Sequence, residues 1–550
     1  MNKGKKLATI VLSLFLIVIN CTSFLSLLFT PVYNGDIFKS YTLTESDVRD
    51  AKLFLSEAEK ATLGSPINVF QMNDAWNKFI SKYYFVAEQA NVAYVLYAYD
   101  KSNANYKENY LYASTSYTDI YSGYIATLRR IYNSSSRETF FGGWSQEDIN
   151  NILKKDEEVA SLELANDKLL IELDELSDAE FNNGSVEIYK KTIENNIKIA
   201  TKFGYDNYYE YADKETYLRD FSIEQKQEYK KLVSKYMVDL YKKNKEEYTS
   251  GVNALNAEEK NTLRKILYTS FNSDEITYFN DYVISYGDED MISSLTHAFN
   301  NNNVLFSQKE ECLQAAFTVY MPYSGRPFCY FGSDYSDSFT VAHEIGHYYA
   351  DLNMGLVNAC LDLLETHSQS NEVLFLEYLS TVLPQNVFDV LESYKLQNFY
   401  ASILVGAIID DFEYLVYNSK SVKDFTSADF DGLMTTVCEN YGGREFIEKN
   451  ITDINKYWRR TVIRQPMYYF SYSTSAVASV GLYATAILDR ETARENYRTL
   501  VEETNVEKGF VSCITASGYL NPFEEDFYLS IEDALSQEKT NDESKLKEVA

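Results

Sequence analysis

Histidine, proline and glycine are scarce in this chain of 550 residues, at 4, 7 and 21 copies. Few glycines and prolines exclude collagen-like and low-complexity architectures. They also favour a mostly helical protein, since these two residues are what interrupt helices. Positive charge is short as well: 51 Lys+Arg face 81 Asp+Glu, a formal net charge of -30. That balance argues against nucleic acid as a main partner and against docking on anionic lipid. Cysteine is limited to 6 residues. Their irregular spacing matches no zinc-ribbon pattern, and buried structural thiols are the simplest reading. Apolar and aromatic residues are plentiful instead, at 45% and 15%, with 48 Tyr and 32 Phe. Such a chain is not disordered despite its charge. Its length allows two or three domains, or one large two-lobed body.

The N-terminus carries Lys3, Lys5 and Lys6, then an uncharged stretch from Leu7 to Thr30; the next charge is Asp36. An apolar run of about 20 residues can cross a bilayer as a helix. Leading positive charge orients its start in the cytoplasm. Residues 1–31 therefore read as a signal anchor or signal peptide. The run is long for a cleaved signal and lacks an Ala-x-Ala site, which favours the anchor. Asn20, before Cys21, sits where a lipoprotein would need a small residue. The remainder is expected outside the cytoplasm, either membrane-anchored or secreted.

From about Ser46 to Asn272, apolar residues recur at three- and four-residue spacing with few breakers, which predicts helices. Tyr106, Tyr110, Tyr112, Tyr117, Tyr121 and Tyr124 read as packing residues that keep their hydroxyls wet. Ala315–Tyr320 and Pro327–Phe331 read as two strands, joined by the turn Pro322-Tyr323-Ser324-Gly325. Helix resumes near Ser336, a plausible N-cap, and runs to about Leu535. The division expected is a helical N-terminal region over 32–200, a catalytic region over 201–536 and a charged tail over 537–550.

Residues 341–349 read Val-Ala-His-Glu-Ile-Gly-His-Tyr-Tyr. His343 and His347 are four apart, so on a helix both imidazoles leave one face. This is HExxH: two Zn2+ ligands, with Glu344 placed to take a proton from water activated by the metal. Histidine is too scarce here for the pattern to be discounted as chance. Hydrolytic zinc sites take a third protein ligand. The metzincin pattern needs Gly and then His at positions held here by Ala350 and Asn353, so that branch is excluded. A carboxylate from a following helix remains. Glu365 fits, within the helical stretch Leu361–Tyr378, and His367 is its rival. Glu372, two turns past Glu365, is placed to orient a ligand imidazole.

The stretch Ser336–Tyr349 and the stretch Leu364–Ser380 resemble the signature of the oligoendopeptidase F and thimet oligopeptidase family of zinc metallopeptidases. In that family the second segment opens with the zinc-binding glutamate and carries another seven residues on, the positions of Glu365 and Glu372. Phe203–Tyr208 and Tyr217–Asp220 resemble its helical lead-in. The resemblance spans roughly 200–535. It implies a mostly α, two-lobed gluzincin-type fold, with a small β-sheet beside the zinc-binding helix and a deep central channel admitting oligopeptides. It also implies roles for Tyr468 and Tyr472, in the Tyr-rich segment Pro466–Thr474, as donors to the oxyanion of the tetrahedral intermediate. One departure stands out: the family commonly has a His shortly before that segment. Trp458–Pro466 contains none: Val462 or Ile463 fills the place, and Arg464 is a candidate substitute cation.

The expected function is zinc-dependent endoproteolysis of oligopeptides, held by His343, His347 and Glu365 with Glu344 as general base. The acidity hints at cationic peptides. A catalytically weak zinc-containing peptide-binding protein and a tyrosine-rich surface binding protein are the alternatives.

Overall fold

Side-chain caps open the long helices in the computed structural model. It describes residues 36–64, 67–144, 149, 152, 157–268, 276–286, 289–355, 359–504 and 508–536. The chain is mostly helical and divides into two compact units.

The first unit comprises the described residues of Met1–Ser161, Thr296–Ser336 and Gly355–Val357. Three helices dominate it: α1 (Glu45–Leu63), α2 (Val69–Tyr99) and α3 (Ala104–Tyr132). Thr44 and Asp47 form a capping box at α1, and Asn68 and Asn103 cap α2 and α3. Each supplies an acceptor for first-turn amides that lack a helical partner. Trp76, Phe79, Tyr83, Tyr117 and Tyr124 share their core. The buried hydroxyls of Tyr83 and Tyr117 hydrogen-bond each other at 2.9 Å. Tyr110, Tyr117 and Tyr124 are buried, and Tyr106, Tyr112 and Tyr121 pack on the same core. This is packing, not a display of stacking surfaces.

A three-stranded sheet of order β1-β3-β2 completes the unit: β1 (Val304–Phe306), β2 (Ala316–Met321) and β3 (Arg326–Phe331). β2 and β3 form the expected antiparallel hairpin, each strand shifted by one residue from its predicted start. Glu88 accepts from the Ser324 amide and hydroxyl to hold the turn, and Gly325 takes φ +67°. The parallel strand β1 was not predicted; three residues are too few to show a period.

The second unit holds the described residues of Leu162–Leu295, Asp337–Met354 and Asn358–Ala550. Its main helices are α4 (Ile223–Ala254), α5 (Ile276–Ser285), α6 (Ser338–Met354), α7 (Leu361–Leu379), α8 (Gln385–Tyr417), α9 (Phe470–Leu488) and α10 (Arg490–Glu503). α7 is buried along almost its whole length, packed by α5, α6, α9 and α10. α8 packs on α4 and α9. The cap of α6 is Asp337 rather than Ser336. Its Oδ1 accepts from the amides of Phe339 and Thr340 at 3.0 and 3.2 Å. A carboxylate at this place also meets the positive end of the helix dipole.

The five described cysteines are all buried, and none of them forms a disulfide. The apolar stretch 7–30, Cys21 and the tail 537–550 lie outside the described residues. Among the described residues, no helix is long and apolar enough to cross a membrane.

Candidate metal centre

α6 projects His343 and His347 from one face, their rings 4.9 Å apart. Between them sits Gly346, where a methyl group would lie 2.7 Å from Ser368 Cα and 2.9 Å from His367 O. Ordinary carbon contacts begin near 3.5 Å, so only glycine lets α7 approach this closely. Asn371 fixes the same contact, donating from Nδ2 to the Ala342 carbonyl at 2.7 Å. The Tyr282 hydroxyl in turn donates to Asn371 Oδ1 at 2.6 Å.

This approach delivers Glu365. Its Oε2 lies 3.7 Å from His343 Nε2 and 3.9 Å from His347 Nε2. The three ligand atoms fall within 4.8 Å of one another, the one such His/Cys/Asp/Glu group found among the described residues. Glu365 Oε2 is buried and has no hydrogen-bond partner. A buried carboxylate oxygen without a partner is costly. Its spacing is too long for hydrogen bonds to the imidazoles. It suits a shared cation, because tetrahedral ligands about 2.1 Å from one ion stand roughly 3.4 Å apart. Two nitrogens and one carboxylate oxygen are the donor set of catalytic zinc sites. The residues present therefore fit Zn2+.

A carboxylate can only accept, so His343 Nδ1–H donates to Glu372 Oε1, at 2.8 Å. This fixes the tautomer that leaves Nε2 free toward Glu365. Lys395, on α8, donates to Glu372 Oε2 at 2.7 Å. Burial works to raise the Glu372 pKa, but Lys395 and His343 outweigh it and hold it down at about 2. Burial likewise disfavours charge on His343, yet its bond to Glu372 and the nearby Glu344 and Glu365 raise its pKa to about 9. The field that favours a proton there favours any cation. His347 is pushed well down by burial and by the neighbouring His343.

Glu344 is buried on α6, next to His343. His367 faces elsewhere: it is fully buried, with Nε2 3.0 Å from Thr504 Oγ1. Burial lowers its pKa to about 3, so it is a neutral core histidine, neither a ligand nor a surface residue.

Tyr468 and Tyr472 are half-buried, their hydroxyls 3.0 Å apart. Burial, then the charge of Glu365, raises both pKa values, so both remain protonated donors near neutral pH. The backbone just before them is strained: Met467 has φ +61°. Its amide donates to both carboxylate oxygens of Glu413, at 2.9 and 3.1 Å.

Gly346, Asn371 and Lys395 escaped the sequence reading. A glycine in the middle of a helix pattern was the available signal for the first, since helices disfavour it. Nothing local marks the other two.

No protein-family model and no curated protein matches this chain. Solved structures do. A provisionally named oligoendopeptidase F from Bacillus anthracis strain Ames is 14% identical, with TM-score 0.66, covering 92% of this chain and 98% of its own. PZ peptidase A, solved with an inhibitor, is 15% identical with TM-score 0.66 over 91% of this chain and 98% of its own. Oligoendopeptidase F from Enterococcus faecium is 15% identical with TM-score 0.55, over 92% and 99%. Likeness over nearly the full length of both partners gives the conclusion: this chain has the oligoendopeptidase F fold.

Proposed function

We propose that this protein is a zinc-dependent endopeptidase acting on oligopeptides. The observation that carries the reading is the convergence of His343 Nε2, His347 Nε2 and the partnerless Glu365 Oε2. The names of the structures sharing the fold support a peptidase.

His343, His347 and Glu365 would hold Zn2+, which when bound would supply Lewis acidity toward a peptide carbonyl and toward water. Glu344, beside His343, takes the proton of the attacking water and passes it to the leaving amine nitrogen. Tyr468 and Tyr472 donate to the oxygen on which negative charge develops. Glu372, anionic and anchored by Lys395, keeps His343 in its donor orientation. Cationic peptides are the favoured class on net charge. The apolar stretch 7–30 behind its three lysines supports an extracytoplasmic position. Protease accessibility on intact cells tests that placement; a protected chain contradicts it.

Glu344→Gln tests the mechanism. Turnover should fall by about 10²–10⁴-fold with zinc content unchanged. Activity surviving the substitution removes Glu344 as the base. Peptide binding without turnover in the wild type would instead make the chain a zinc-containing binding protein.

A further inference from the structure

The backbone strain of the second unit gathers around one side chain, Arg219. A π-helical turn at Ala212–Thr216 precedes it, and π-turns cost regular hydrogen bonding. Leu218 has φ +55° and Met467 φ +61°, unfavourable for any residue with a Cβ. Arg219 lies between them, fully buried, with every arm of its guanidinium used. Nε donates to Asp362 Oδ2 at 3.1 Å and Nη1 to Asp213 Oδ1 at 2.5 Å. Nη2 donates to the Met467 carbonyl at 3.1 Å and to Ser471 Oγ at 2.8 Å.

These partners fall on two elements of the candidate site. Asp362 is one helical turn before Glu365 on α7. Met467 and Ser471 immediately precede Tyr468 and Tyr472. The link is closed from the other side: Ser471 Oγ donates to Asp362 Oδ2 at 2.8 Å, and Thr474 Oγ1 donates to Asp362 Oδ1 at 2.5 Å. The Tyr217 hydroxyl donates to the Pro466 carbonyl at 2.7 Å, pinning the same turn. Asp213 is shared with Lys226 at 3.0 Å, and Lys226 reaches Asp410 at 2.6 Å. The fork is therefore braced within a buried charge network, away from solvent.

We propose that Arg219 is a positioning residue for the peptidase reaction, locking the Pro466–Met467 turn to Asp362 so that Tyr468 and Tyr472 are held in register with Glu365. This rests on the peptidase reading above. A planar fork serves four acceptors in three directions; a lysine ammonium cannot reproduce that geometry.

The test uses the full chain and a fluorogenic peptide. Arg219→Lys keeps the charge but loses the fork. Its kcat should fall about 10²-fold, the cost of a misplaced catalytic group, with KM near the wild-type value and full zinc content. Ser471→Ala leaves every charge in place, so it reports even where Arg219→Lys fails to fold; its kcat should fall about tenfold. In a Tyr468→Phe/Tyr472→Phe background, Ser471→Ala should cost almost nothing further, because the hydroxyls it positions are gone. Equal losses in both backgrounds, or losses that track zinc content, overturn the proposal. So does unchanged kcat in both single variants. Absence of chelator-sensitive turnover in the wild type overturns the peptidase reading itself, and the proposal with it.

Discussion

Gly346→Ala probes the contact that brings the candidate ligands His343, His347 and Glu365 together. The added methyl would sit 2.7 Å from Ser368 Cα, 2.9 Å from His367 O and 3.0 Å from Asn371 Cβ. Two of these are α7 backbone, which cannot rotate away. Relieving the clash to an ordinary carbon contact moves the helices apart by about 0.8–1 Å. The Glu365 oxygen now stands 3.7 and 3.9 Å from the two imidazole nitrogens. Widening them carries the carboxylate oxygen further from the roughly 3.4 Å at which tetrahedral ligands of one zinc ion stand apart. Zinc affinity should fall at least ~10-fold, as when a supporting contact of a metal site is lost. Stability should also fall, by about 1–2 kcal/mol, since overpacking outweighs the helix-propensity gain of about 1 kcal/mol. Gly432, in the helix Ser427–Glu439, is the control: a methyl there meets nothing within 4 Å. Gly432→Ala should stabilise by about 0.5–1 kcal/mol and leave zinc untouched. Chelator competition and denaturant unfolding measure both quantities. If Gly346→Ala behaves like Gly432→Ala, the close helix contact is not what sets the site.

Lys395→Met removes the cation that holds Glu372 down, and should weaken zinc binding about 10–100-fold in the same competition assay. Tyr472→Phe should lower kcat by about 10²–10³-fold with zinc content intact; an unchanged kcat assigns that tyrosine to packing. Asp410 gives a pH signature. Burial tends to raise its pKa, but Lys226 and Lys230 prevail and hold it at about 2. A carboxylate depressed on folding stabilises fully above its unfolded value near 3.9 and loses that contribution as pH falls through 2. About 2 kcal/mol should therefore disappear between pH 5 and pH 2, read by urea unfolding, and Asp410→Asn should flatten that part of the profile.

Local pattern made part of this legible. HExxH is readable because four-residue spacing puts both imidazoles on one helix face whatever the tertiary fold. The β2–β3 hairpin is readable because its turn and alternating texture are local. The choice between Glu365 and His367 is different. They are two residues apart on α7, so they point to opposite sides, and only the packing of α6 and α10 around α7 decides which side meets the histidines. Lys395 lies on another helix from Glu372, and Arg219 lies 143 residues from Asp362. Such pairings follow from burial, where an unpaired charge is too costly to keep, and leave no local trace. The absent histidine before the tyrosine segment is readable in the sequence. The bracing of the turn that follows is not: Glu413, Tyr217 and Arg219 hold Pro466–Met467 from distant parts of the chain.

Mass spectrometry of products from a mixed peptide library, with the wild-type chain, a zinc chelator and added-back zinc, tests the central claim most directly. Internal cleavage that the chelator stops and zinc restores is the predicted result. Cleavage indifferent to the chelator, or none with zinc supplied, contradicts it.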